Sequence, residues 1–481
     1  MLEEGYLRGA CVQYFQRTLS ICASNRRALK MLKYRSKRSL SMSRRFCKPI
    51  LLMLVLLVFW LSALDAKAEK SYGQVSVGTL QPFWNATYGG SRADEGWGVA
   101  VDSEHNVYFA GFDRIAAATA NVFLRKLTPD GVSLWNASWG GPFDDEAFVV
   151  TVRDGYVYVG GRTFTSFSLA SSDMFVLKFY AVNGSFVWGR TWDGGHGYDE
   201  VDGLVAEGNS LYVAGWTTGA STQNDIAVLK YDVNGTLLWS RSWGTAGWDE
   251  ANGQIGLDEN CIYVAGRYDA PSMIWGGDAV LVAFNKTGGN YLWHTTWGGD
   301  NIDDAFGLTI DSSYIYSVGI TSSYNNSDFI FLLKYNKTGS LMWNATWGGS
   351  GSELARSVAV NADSTSVYVA GSTTSFGNGD FDVVLLRYDQ NGNLTLNKTW
   401  GGSKLDRSHG VAAVASFIYI AGDTKSIGAG DEDAFLIKVD SDGGNSIPEF
   451  DQFALPLLLF AVSSICLVLH KKRGEKEHKQ K

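Results

Sequence analysis

The sequence predicts an all-β fold, a seven-bladed β-propeller whose last blade is completed by an N-terminal strand. An aromatic motif recurs along the chain, from Trp84 to Tyr88, Trp135 to Trp139, Trp188 to Trp192, Trp239 to Trp243, Trp293 to Trp297, Trp343 to Trp347 and Leu396 to Trp400. Its second aromatic falls at 88, 139, 192, 243, 297, 347 and 400, in steps of 51, 53, 51, 54, 50 and 53. A near-constant period of this length means an array of identical supersecondary units. The two ends of the array are also complementary, each lacking what the other has.

Each unit reads as four short strands. In the first they are Gly98–Asp102, Val107–Gly111, Val122–Leu127 and Ser133–Trp139, β-branched and aromatic runs separated by turn residues. The last turn often contains Asn-Gly, as at Asn234-Gly235 and Asn391-Gly392, so the third and fourth strands are expected to be antiparallel neighbours. Twelve of the 17 tryptophans fall in the aromatic motif, so they read as filling between blade edges and not as a ligand platform. First strands rich in Gly, Ala and Val suit crowding around an axis.

Four strands in each of seven units make a propeller. The last unit supplies Gly410–Val414, Phe417–Gly422 and Asp433–Val439 and then stops, while Phe83–Tyr88 is an orphan fourth strand ahead of the first unit. Pairing the two closes the ring and removes an exposed edge. The propeller domain is therefore expected over 80–442.

The flanks read differently. Residues 1–68 form a basic tail with a signal peptide or signal anchor: Arg44-Arg45 leads into the apolar run Pro49–Leu64 and the small-residue site Ala66-Lys67-Ala68. The charged part is long counted from Met1 and ordinary counted from Met42. After a linker at 443–452, the 17 apolar residues 453–469 suit a transmembrane helix, which needs about 17–25. The Lys-rich tail at 470–481 is expected on the cytoplasmic side, which puts the propeller outside the cell membrane.

Residues 69–450 hold 22 Lys and Arg against 43 Asp and Glu. Such an acidic body repels phosphate backbones, so nucleic acid is excluded as a partner class. Cys261 is the one cysteine in the repeats, so no disulfide forms within them, and it reads as a small buried apolar residue.

The recurring string Gly-Val-Ala-Val-Asp, Val-Tyr-Val-Ala-Gly-x-Thr, Asp-x-x-Leu-Leu-Lys-Tyr-Asp, Asn-Gly, Trp-x-x-Thr-Trp-Gly-Gly resembles the SBBP β-propeller repeat of prokaryotic surface proteins. The resemblance implies an exported propeller without catalytic residues to carry over. Pro448-Glu449-Phe450, the apolar run and the basic tail resemble an archaeal surface-anchoring signal.

Strong catalytic motifs are absent: there is no His-Glu-x-x-His, Cys-x-x-Cys, Gly-x-Ser-x-Gly or phosphate loop. One acid per unit does recur after the aromatic motif: Asp94, Asp145, Asp199, Asp249, Asp303, Glu353 and Asp406, with Asp199 displaced by inserted Asp193. These acids are expected in the connection from a fourth strand to the next first strand. They would form an acidic ring beside the hydroxyl-rich loops Thr217–Asn224, Thr321–Ser327, Thr373–Asp380 and Thr424–Asp431. Such a face suits cations, sugars or basic protein surfaces; alternatively, each acid accepts backbone N–H bonds and fixes its own turn. The loops at Asp380 and Asp382 and at Asp431 and Asp433 share Gly-x-Gly-Asp-x-Asp, a spacing open to Ca²⁺, although neither matches a complete calcium loop. No other cofactor is indicated.

Sequons at Asn183, Asn234, Asn285 and Asn336 lie on hairpin turns of the opposite face, where a glycoprotein would carry its glycans. The sum of these expectations is a membrane-anchored binding module for a surface protein or carbohydrate. Two other classes remain open, a quinoprotein-like propeller enzyme and a structural surface-layer component.

Overall fold

The computed structural model describes residues 77–116, 119–166, 171–219, 223–269, 276–323 and 327–443. The signal segment, the apolar run at 453–469 and the basic tail lie outside the described residues. Among the described residues, no helix is long and apolar enough to cross a membrane.

Seven antiparallel sheets form the blades, each a meander from inner to outer strand. They span 94–139, 145–192, 199–243, 249–297, 303–347, 353–400 and 406–440, and are numbered 1 to 7 below. The first strands lie side by side around the axis, with that of blade 7 against that of blade 1. The orphan strand, Trp84–Tyr88, pairs antiparallel with Asp433–Asp440, Trp84 opposite Lys438 and Tyr88 opposite Ala434, and completes blade 7. The ring therefore closes through its outermost strand, and the edge that the third strand of blade 7 would otherwise expose is covered. A short strand unforeseen in the sequence, Gly78–Thr79, runs parallel to the fourth strand of blade 6 and buries Leu80 beside it.

Each first strand starts earlier than its apolar pattern suggests, at the repeated acid itself: Asp94, Asp145, Asp199, Asp249, Asp303, Glu353 and Asp406 are strand residues and not loop residues. The hairpin between third and fourth strands also differs in detail. Gly235 takes φ 85° while Asn234 stays in the ordinary region, and Asp232 Oδ1 accepts the Asn234 and Thr236 N–H groups at 2.9 and 2.8 Å. The register shifts between Lys230 and Tyr231. This is a three-residue turn with a bulge, and only its glycine needs the left-handed region.

The tryptophans do fill between blades, and they also bond. Trp135 Nε1 and Lys126 Nζ both donate to the carbonyl of Ala181 in the next blade's hairpin, at 3.2 and 3.1 Å. Trp188 and Lys178 do the same to Val233, and Trp343 and Lys334 to Gln390. At five junctions the second aromatic leans on a phenylalanine of the following blade, as Trp139 does on Phe175 with ring centres 5.0 Å apart. Blades 1, 2 and 5 thus clasp the next with burial and with satisfied indole and ammonium donors, whereas blade 6, with Leu396 in place of the tryptophan, keeps the Lys398 ammonium, bonded to the Gly443 carbonyl at 2.8 Å. Cys261 is free and half-buried, less enclosed than its apolar setting suggests.

Candidate functional site

The axis carries a site that the repeat pattern does not show. Three residues after each repeated acid, the chain reads Trp97, Phe148, Asp202, Asn252, Phe306, Arg356 and His409, a different side chain in nearly every blade. In six blades the first strand has a register shift at this residue, for example between Gly96 and Gly98 and between Ala355 and Ser357. In blade 4 the strand is broken there, between Asp249–Glu250 and Ile255–Leu257. A bulge re-aims the extra residue out of the pleat. All seven side chains line one axial cavity of about 270 Å³, with Glu200, Glu250, Gln254 and Asp304.

The cavity is two-sided. On one side rings are stacked: His409 lies 4.1 Å from Trp97 at 13°, and Phe148 meets the Trp97 edge at 5.0 Å. The Arg356 guanidinium sits between Trp97 and Phe306, 5.3 and 5.2 Å from their centres. It has no hydrogen-bond or ion-pair partner among the described residues, and burial, then Arg407, pulls its pKa below the ordinary value.

The other side is acidic. Burial first, then Glu200, holds the Asp202 pKa well above the carboxylate range; Asp202 Oδ2 is buried with no N–H or hydroxyl donor, and its carboxyl is hydrogen-bonded to that of Glu200. Glu200 is raised by burial as well, although Arg162 bonds it at 2.5 Å and Glu146 at 2.7 Å. Asp304 is raised to about 7 by burial, against the Asn252 amide that bonds it at 3.3 Å. Asp202 and Arg356 line the cavity and are each half-buried, so solvent reaches part of each although protein surrounds both. Carboxylates outnumber the cations available to them, and this is the electrostatic character of the site.

Beside the cavity, His409 Nε2 and Asp423 Oδ1 are 2.5 Å apart, and Glu95 completes a group with metal-ligand spacing. Asp423 Oδ2 is already held by Arg407 at 3.0 and 3.1 Å, and Glu95 accepts the Trp97 indole N–H at 3.0 Å. The guanidinium occupies the place where a metal's charge would act, so this cluster reads as an internal ion network.

The repeated acids are all buried, from 0 to 3 % exposed. Each that begins a first strand reaches back to a backbone N–H in the turn before it. Gly90, Gly141, Gly194, Gly299, Gly349 and Gly402 donate to Asp94, Asp145, Asp199, Asp303, Glu353 and Asp406, and Thr245 donates to Asp249, over 2.5–3.0 Å. The hydroxyl-rich loops serve the same carboxylates: Ser323 donates to Asp303, Thr373 to Glu353, and Ser426 and Thr424 to Asp406. The geometry is that of a turn lock repeated in every blade.

In the Gly-x-Gly-Asp-x-Asp loops, Asp382 Oδ2 accepts the Asn378 and Gly379 N–H groups at 2.8 and 3.0 Å. Asp433 Oδ2 accepts those of Ala429 and Gly430 at 2.8 and 2.9 Å. Asp380 and Asp431 are exposed, and Asp431 faces Lys425 at 3.5 Å. One acid of each loop closes it and the other points to solvent. Asn183 and Asn234 are exposed on their turns; Asn285 and Asn336 are half-buried, their Oδ1 atoms bonded to turn amides.

Fold and cavity define a seven-bladed β-propeller repeat protein. The family described as "Domain of unknown function (DUF5122) beta-propeller" matches residues 209–237, the second strand of blade 3 through the start of its fourth. No curated protein matches the chain. Among solved structures, the chain is similar to the Neurospora crassa Pan2 WD40 domain at 10 % identity and TM-score 0.48, over 78 % of this chain and 99 % of that one. A chain of a mitotic checkpoint complex matches at 12 % identity and TM-score 0.48, over 77 % and 99 %. Quinohemoprotein alcohol dehydrogenase from Comamonas testosteroni matches at 10 % identity and TM-score 0.40, over 77 % and 78 %.

Proposed function

We propose that this protein is a binding propeller, held to the cell membrane by residues 453–469 and displayed outside it, whose axial cavity seats a protonated amine. The observation that carries the reading is Asp202: its Oδ2 is buried with no N–H or hydroxyl donor, its carboxyl set against that of Glu200, in a cavity open to a small ligand. An ammonium supplies both missing things, N–H donors and positive charge, where burial makes each count most. Glu250, Asp304 and the Asn252 and Gln254 amides line the same cavity and offer acceptors to its other donors.

The ammonium has two natural sources, a lysine or N-terminus of a partner protein and an amino sugar. Both stand within the surface-protein and carbohydrate classes expected from the sequence. Export and anchoring rest on the apolar run, the basic tail and the resemblance to SBBP repeats. Glycans would fall first on the exposed Asn183 and Asn234, an order that glycopeptide mapping of the native protein reads directly.

The test is calorimetric titration of the full-length protein with glucosamine, glucose, a lysine-bearing peptide and its acetylated form. Binding of the two amines, absence of binding by their neutral counterparts, and at least about tenfold weaker binding by Asp202→Asn support the proposal. Equal affinity for glucose and glucosamine would replace ammonium recognition with hydroxyl recognition. No binding by any of the four removes the reading.

A further inference from the structure

Blade 1 departs from the repeat at two positions beside the closing strand. Opposite the repeated acid, the second strand carries Thr163, Thr217, Thr321, Thr373 or Thr424 in five blades and Tyr268 in blade 4, but Asp113 in blade 1. Midway along the third strand, the other blades bury an aliphatic residue, Leu177, Leu229, Val282, Leu333, Leu386 or Ile437, each at most 1 % exposed. Blade 1 has Arg125 there.

Asp113 and Arg125 line one pocket of about 400 Å³ with the 89–92 connection that follows the closing strand. The Arg125 guanidinium lies over the Tyr88 ring, 4.5 Å from its centre, and its Nε is buried without an acceptor. Asp113 Oδ1 is buried without a donor. Neither side chain has a hydrogen-bond or ion-pair partner among the described residues, so the two opposite charges share a pocket without touching. The turn lock of this blade does not call on them. Asp94 is already held by the Gly90 and Arg114 N–H groups at 2.5 and 2.7 Å, and the Arg114 guanidinium turns to Asp144 and Glu146. Burial, then Asp94, raises the Asp113 pKa to about 6, with Arg125 opposing. A buried acceptor and a buried donor left open in this way ask for a molecule that brings one of each.

We propose that this pocket binds a small carboxylic acid bearing a hydroxyl or an amino group on the adjacent carbon. Its carboxylate meets Arg125, whose planar fork of N–H groups suits a pair of oxygens. The neighbouring O–H or N–H donates to Asp113 Oδ1. Arg92, exposed at the rim, adds positive charge on a body where acids outnumber bases, and so draws an anion to this place. The pocket shares no lining residue with the axial cavity, so the inference stands independently of the amine reading.

The test is calorimetric titration of the full-length protein with lactate, alanine, propionate and lactamide. Lactate and alanine supply the two kinds of donor, propionate lacks the donor, and lactamide lacks the charge. The expected result is saturable binding of lactate, alanine or both, with propionate and lactamide at least about tenfold weaker. Arg125→Leu and Asp113→Thr, which restore the residues of other blades, should each lower that affinity at least about tenfold. Arg125→Lys keeps the charge but not the fork and should also bind more weakly. The Asp113→Thr, Arg125→Leu double variant should melt at or above the parent, which separates lost binding from lost folding. A parent protein that binds neither lactate nor alanine overturns the assignment, as does an Arg125→Leu variant that binds equally well.

Discussion

Trp84 and Lys438 converge on one acceptor: the indole Nε1 and the ammonium Nζ donate to the Pro129 carbonyl at 3.1 and 2.8 Å. The two residues are cross-strand partners at the closure of blade 7, and Pro129 lies in the hairpin of blade 1. The bond that joins the chain's ends is thus the same clasp that joins interior blades. Trp84→Phe should keep most of the ring's packing and lose the indole hydrogen bond, costing about 0.5–1.5 kcal/mol. Trp84→Ala should cost about 3–5 kcal/mol. Removal of residues 1–88 should uncover the third strand of blade 7 and drive association through that edge. Denaturant melts read the first two outcomes and light scattering after size exclusion reads the third. A truncated protein that stays monomeric with an unchanged melt would show that closure is not structural.

The repeated acids predict a stability effect without a binding effect. Asp406 accepts the Gly402 N–H and the Ser426 hydroxyl, each at 2.7 Å, and the Thr424 hydroxyl as well. Asp406→Ala leaves these buried donors unpaired, at a cost of about 1–3 kcal/mol or more, while Asp406→Asn keeps an acceptor and should cost less. Amine affinity measured well below the melting transition should equal that of the parent. A selective loss of affinity in a protein of unchanged stability would return the acids to the ligand.

These two cases mark what a reader of the chain alone can see. The aromatic period fixed blade count and closure because packing between blades repeats, and repetition survives in sequence as spacing. The turn role of Asp406 was one of two readings, because an acid six residues past an aromatic looks alike whether its carboxylate turns inward or outward. The axial residues were illegible for the opposite reason. Trp97, Asp202 and Arg356 differ from blade to blade, so they leave no period. Their strands read as Gly-, Ala- and Val-rich runs, and the bulge that turns each residue to the axis exists only once the sheet is formed. The signal that would have found them is the position three after the acid, where the repeat stops repeating.

Asp304 should make stability depend on pH in the direction opposite to a salt-bridged carboxylate. Its folded pKa is about 7, raised chiefly by burial, against an unfolded value near the ordinary 3.8. The folded state therefore holds the proton more tightly, and this contribution is full below pH ~4 and lost as pH rises toward 7. Asp304→Asn imitates the protonated form and can still accept from Asn252. It should melt above the parent at pH 8, by several degrees, and with it at pH 4. Thermal melts of the two proteins across this range decide the matter, and a difference that grows toward acid would reverse the sign.

Arg356 offers a separate test of the charge of the ligand. Its guanidinium is flanked by Trp97 and Phe306 and unpaired, so its desolvation is offset only by ring faces, about 0.5–2 kcal/mol for each cation–π contact, and by more distant acids. Burial lowers its pKa, which means that the fold disfavours the charge on balance. Arg356→Met fills the space between the rings with a flexible apolar side chain and should leave stability unchanged or improved. Removing a positive charge from the cavity wall should also tighten binding of an ammonium ligand and weaken binding of a carboxylate. Calorimetry on this variant with glucosamine and with glucuronate separates the cases. Tighter glucuronate binding by the parent, abolished in Arg356→Met, would make the guanidinium the anchor and turn the polarity of the site around.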